Sequence, residues 1–178
     1  MSLQLNTPPA AEPVTLDQAK AWLRVESGAD EDALIAALIP AARARAEWHT
    51  GRAFVTQAWT LWLDRSDGVI EVPLPPLQSV ASVTLYAPDG TPTVLDSGAY
   101  TVADQRLLLA AAPTSLRPAD GVAVAFTCGY GDAADVPAPI ASAILLLVAQ
   151  LYEHRGGDAA PMPDSALALL APYRTIKF

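Results

Sequence analysis

Apolar positions along the chain change period twice, from helix-like (about 3.6 residues) to strand-like (about 2) and back. Up to about residue 51 the spacing is helical. After a Pro-rich extended arm, Thr15-Leu16-Asp17-Gln18 has the form of a capping box, in which Thr15 accepts from the Gln18 amide and the Gln18 side chain reaches back. The helix this predicts carries Leu16, Ala19 and Leu23 on one face with Trp22 beside them, and ends near Ser27-Gly28. A second helix opens on Asp30-Glu31-Asp32, acidic residues at the end where the helix dipole favours them. Its apolar stripe is Leu34, Leu38, Ala41 and the stem of Arg45, with Ile35 and Ile39 adjacent. Pro40 should kink or split this helix, since it removes a backbone hydrogen bond, and Gly51 is a suitable stop.

From about 53 to 128 the apolar residues alternate: WTLWL at 59–63, VASVTLY at 80–86 and GVAVAFTC at 121–128. Pro and Gly clusters divide these runs, at 72–76, at Pro88-Asp89-Gly90 and at Ser97-Gly98. This predicts an antiparallel β module of roughly six strands. Trp59 and Trp62, three apart, fall on opposite strand faces, which suits one to a core and the other to an interface. A helical pattern returns at 140–152 (IASAILLLVAQLY), after Pro137 and Pro139 at its first turn. It is apolar almost all round, so Ile140, Ile144, Leu147, Val148 and Leu151 should be buried in the subunit's own core or against a neighbouring subunit. A loop at 156–163, a short helix at 165–170 and a tail complete the chain. The fold expected is α+β: a helical domain, 1–52 with 134–178, carrying an inserted antiparallel module at 53–133.

Composition narrows the function. A net charge of −8 and 11 scattered basic residues, of which Arg43, Arg45 and Arg52 come nearest to a patch, argue against tight electrostatic binding to nucleic acid. The lone Cys128 excludes an internal disulfide and any multi-cysteine metal site, and fits a reducing compartment. The N-terminus lacks the features of a signal peptide, and 140–152 is too short to span a bilayer, which predicts a soluble protein of the cytoplasm with no membrane association.

Candidate chemistry is sparse. His49 and His154 are the only histidines, and both read as residues near helix ends. No nucleophile-elbow motif and no Cys–His zinc spacing occurs. Gly129-Tyr130-Gly131 lacks the Lys and Ser or Thr of a phosphate loop, and Asp132 and Asp135 beside it would repel a phosphate, so a strand-to-helix connector is the better reading. Asp30-Glu31-Asp32 lacks the further ligands of a calcium loop. No catalytic, cofactor or metal residue is therefore assigned. The C-terminal Tyr173, Arg174, Thr175, Ile176, Lys177 and Phe178 alternate aromatic or apolar with basic or polar side chains. They read either as a strand or frayed end of the subunit itself, or as a docking strand that augments a partner.

Eight segments in order, LDQAKAWLRV (16–25), DEDALIAAL (30–38), TGR (50–52), PPLQSV (75–80), FTCGYG (126–131), VPAPI (136–140), ILLLVAQLYE (144–153) and LAPYRTIKF (170–178), resemble the head–tail connector proteins of tailed phages. The resemblance is to the longer variety with a β insert, also found in prophages and gene transfer agents. Pro40 and Cys128 depart from its pattern. The resemblance implies a structural subunit, not an enzyme, that forms a homo-oligomeric ring, dodecameric in the particle. That ring would lie beneath the portal protein, bind a tail-side neck or terminator protein, and let DNA pass through without sequence-specific contact. Portal docking would fall on Tyr173–Phe178. The competing expectations are another neck or tail-completion protein, and an unrecognised small hydrolase.

Overall fold

A computed structural model describes residues 1–26, 28–154 and 161–175. Its fold is α+β, and by their internal contacts the residues form two compact units: Met1–Pro9 with Thr56–Tyr130, and Ala10–Val55 with Gly131–Phe178.

The first unit is all β. Strands β1 (Ser2–Thr7), β2 (Gln57–Leu63), β3 (Val69–Glu71), β4 (Leu77–Tyr86), β5 (Pro92–Val94), β6 (Tyr100–Ala103), β7 (Arg106–Leu109) and β8 (Val122–Cys128) make two antiparallel sheets. One has the order β1-β2-β8-β4-β5 and the other β3-β7-β6. β8 lies centrally, with Val124 opposite Leu61 on one side and Val83 on the other, all fully buried. Seven strands thus fall where about six were expected, and they divide between two sheets. The N-terminal arm is corrected more substantially. Ser2–Thr7 is not a free extension of the helical part but an edge strand paired with β2, Leu3 opposite Leu61 and Leu5 opposite Trp59. Trp59 and Trp62 are both half-buried, so neither is the core residue the pattern suggested. The Trp62 and Tyr86 rings lie 5.8 Å apart, and the Arg117 guanidinium lies 4.2 Å from the Tyr86 centroid on the ring face. The β4–β5 hairpin turns at Pro88-Asp89-Gly90, where Gly90 adopts φ 88° and donates to the Ala87 carbonyl.

The second unit holds α1 (Leu16–Leu23), α2 (Ala29–Thr50), α3 (Ala138–Glu153) and α4 (Asp164–Leu170). Both halves of the Thr15–Gln18 capping box form. α1 stops at Leu23, earlier than Ser27-Gly28, because Arg24 takes the left-handed conformation at φ 56° and its amide turns back to close the last turn. α2 runs unbroken through Pro40. The carbonyl that Pro40 leaves unpaired is that of Ala36, a residue on the exposed side where water can satisfy it. Its buried stripe is Ile35, Ile39, Ala42, Ala46 and Thr50, one position round from the stripe expected; Leu34, Leu38 and Arg45 are half-buried flanks and Ala41 is exposed. Gly51 ends the helix at φ 68°.

Candidate functional site

α3 is the best-defined element at which burial can be weighed against interaction. It packs on α1, α2 and α4, so a helix apolar on every side finds neighbours within its own unit. Ile140, Ile144, Leu147 and Val148 are each fully buried in the single chain, whereas Leu151 is half-buried. Four of the five positions are thus core. The remaining flank of α3, with Ala141, Ser142 and Leu145, lines a groove against α1.

The acidic start of α2 does more than face the dipole. Asp32 forms a 2.7 Å ion pair with Lys20 of α1, and the Glu31 carboxylate accepts from the Tyr152 hydroxyl of α3 at 2.9 Å. These bonds join the first turn of α2 to both neighbouring helices; the side chain of Asp30 lies outside the described residues. Arg43 is likewise committed. Its Nε lies 2.7 Å from Glu12 and its Nη1 2.5 Å from Glu47, whose other oxygen accepts from the Phe54 amide at 2.8 Å. Burial works against the guanidinium charge, but the hydrogen bond to Glu12 and the two nearby carboxylates outweigh it and hold the Arg43 pKa above its ordinary value. Arg45 reaches Gln150 and Arg52 donates to the Tyr173 carbonyl. The three arginines therefore serve the fold and form no common phosphate-binding patch.

The C-terminal segment is described as far as Thr175, and Ile176, Lys177 and Phe178 lie outside the described residues. Its first half is neither strand nor loose end. Tyr173 closes a 3₁₀ turn that follows α4, the Thr175 amide donates to the Thr50 carbonyl at 2.8 Å, and the Thr175 hydroxyl reaches Gly51 at 3.4 Å. The two Thr175 contacts satisfy carbonyls at the end of α2 that the helix itself leaves open, and the Arg52 side chain fixes the segment by donating to the Tyr173 carbonyl. Tyr173, Arg174 and Thr175 are thus a bracket on α2.

His49 and His154 sit apart in role. His154 is exposed, with Nδ1 2.9 Å from the Gln150 carbonyl at the end of α3. At His49, partial burial and then the nearby Arg174 push the pKa below its ordinary value of 6.5. The folded chain therefore disfavours the imidazolium, and the unfolded chain takes up its proton first as the pH falls through that value. Stability should decline modestly below about pH 6.5, and His49→Gln should flatten that part of a melting-temperature profile; an unchanged profile would show that His49 does not contribute. Gly131, at φ 137°, opens the β8–α3 connector, where an added Cβ would collide with the Asp135 carboxylate, which accepts from the Asp132 amide. Among the described residues, no group of three or more His, Cys, Asp and Glu could hold a metal ion, and no helix is long and apolar enough to cross a membrane.

Trp48 has no counterpart among the sequence expectations. It is 90% exposed at the end of α2, the most exposed large apolar side chain among the described residues. The available signal was its place in a helical series, Ala33, Ala37, Ala41, Ala44 and Trp48, that contains no polar residue.

The helices of this unit are thus interlocked by ion pairs and hydrogen bonds. A family model for phage gp6-like head–tail connector proteins matches residues 13–87. Three solved chains match essentially from end to end. One comes from the neck of an empty gene transfer agent particle computed with C6 symmetry: 26% identity, TM-score 0.81, 100% of this chain and 97% of that one. The chain is thus similar to phage head–tail connector proteins over residues 13–87 and to particle-neck chains over its length. The second match, from the virion of a native gene transfer agent particle, has 27% identity and TM-score 0.78 over 100% of this chain and 97% of that one. The third, from the neck of the native particle computed with C12 symmetry, has 28% identity and TM-score 0.74 over 98% and 97%. No curated protein matches the chain.

Proposed function

We propose that this chain is a structural subunit in the neck of a phage or phage-like particle, where its copies form a ring beneath the portal and DNA passes through the centre. The end-to-end likeness to chains of particle necks computed with C6 and C12 symmetry carries this reading. Twelve copies are favoured by the higher of those symmetries. The portal would lie on one side and a tail-side neck or terminator protein on the other, and assembly would take place in the cytoplasm. Its work is mechanical and electrostatic: to hold neighbours in register and present a surface along which DNA slides. No enzymatic step is assigned.

Charge supports the conduit. At net −8, with Arg43 bound into carboxylates, the chain has little to exchange for the counterions of a phosphate backbone. Isolated subunits should therefore bind duplex DNA weakly, with little dependence on salt. Tight binding whose affinity falls steeply between 50 and 200 mM salt, a window of about fourfold, would contradict this.

The function is tested by native mass measurement of the subunit mixed with its cognate portal. A ring of copies on the portal is expected. A strict monomer that never associates with portal would refute the reading, and cross-links to the tail tube alone would favour a tail-completion protein instead.

A further inference from the structure

We infer that neighbouring copies are joined by Trp48 of one copy seated in the groove between α1 and α3 of the next, an inference that rests on the ring proposed above.

The knob lies on the outward side of α2. The positions exposed along this helix from 33 to 48 are Ala33, Ala36, Ala37, Ala41, Ala44 and Trp48. A solvent-facing helix surface ordinarily carries long charged side chains. Here five alanines allow close approach along the helix and an indole projects at its end, nine residues from the buried Ile39 and so on the opposite side.

The receptor is an apolar groove of about 490 Å³ in the same unit, lined by residues of α1 and α3 and by none of α2. Small side chains, Ala21 and Ala141 among them, hollow it out; Leu145 and the 49%-exposed Trp22 form apolar walls; and Ser142 offers the buried indole N–H an acceptor. Trp48 is too exposed to occupy the groove of its own chain.

A cyclic ring of more than two members needs two different, mutually complementary surfaces on every subunit. An exposed aromatic knob and an apolar groove on separate elements form such a pair. A second copy is favoured over the portal because ring closure uses both surfaces on each copy, whereas a portal contact at one would leave the other open to water.

Cysteines placed by Trp48→Cys and Ser142→Cys in one chain test the contact inside assembled particles. A short bis-maleimide, able to span the side chain that Trp48→Cys removes, should give a ladder of covalent multimers on a denaturing gel, with no ladder from either substitution alone. A neck that contains the multicopy ring but yields no ladder overturns this inference and leaves the ring standing. A cross-link from either position to a different particle protein also overturns it. A neck without multiple copies of the chain overturns the ring reading itself. Should the double variant fail to fold, Trp48→Ala decides. At an unchanged melting temperature it should weaken association between copies about 30-fold or more, the loss typical of a hot-spot tryptophan. Unchanged association would refute the contact.

Discussion

Leu147→Asp should prevent the helical unit from folding. Leu147 is fully buried on α3 with Ile140, Ile144 and Val148. Truncating such a residue to Ala leaves a cavity and costs about 2–5 kcal/mol. An aspartate there adds a carboxylate without a partner in an apolar site, a further penalty of several kcal/mol. That sum is comparable to a total stability of about 5–15 kcal/mol, so the unit should be largely unfolded. Leu151→Ala, at a half-buried position on the same helix, should cost under about 2 kcal/mol and leave the unit folded. Circular dichroism and thermal melting distinguish the two. If Leu147→Asp folded normally and failed only to form rings, the α3 face would be an interface between subunits, and its burial within one chain would be unimportant.

The second large effect is expected at the C-terminus. Ending the chain after Thr175 removes Ile176, Lys177 and Phe178 but keeps the Arg52–Tyr173 hydrogen bond and that of Thr175 to the end of α2. The shortened subunit should keep its melting temperature within about 2 °C and lose attachment to the portal, measured by co-sedimentation with purified portal. Ending the chain before Tyr173 instead strips the bracket from α2. That should cost stability as well, about 1–3 kcal/mol for the lost bonds and uncovered carbonyls. Undiminished portal binding by the chain ending at Thr175 would remove the docking role from the last three residues.

Features set by local chemistry were legible in the sequence. The Thr15–Gln18 capping box, the Gly51 stop and the Pro88-Asp89-Gly90 turn each need only residues a few positions apart. Features set by distant partners were not. Ser2–Thr7 is a strand because β2, more than fifty residues later, offers an edge, and the Pro-rich stretch that follows it disguised the pairing. The stripe on α2 was misplaced by one position because Leu34 and Leu38 are as apolar as Ile35 and Ile39, and only the packing of α3 chooses between them. Pro40 left α2 unbroken because the carbonyl it strands belongs to an exposed residue. At the candidate site, the all-round apolar character of 140–152 called for burial but could not say whether the subunit or a neighbour supplies it; Ile140, Ile144, Leu147 and Val148 are buried in the single chain. Tyr173–Thr175 looked unrestrained because the groups that hold them, the carbonyls of Thr50 and Gly51 and the side chain of Arg52, lie more than 120 residues earlier. Trp48 escaped notice because exposure is a property of the folded chain.

The connector assignment is tested most directly by imaging the neck of the particle that carries this chain. The expected image is a closed ring of copies directly below the portal, each fitted by the two units described here, with an open channel along the axis. Density in which the chain is absent from the neck, or present as a single unrepeated copy, would contradict it.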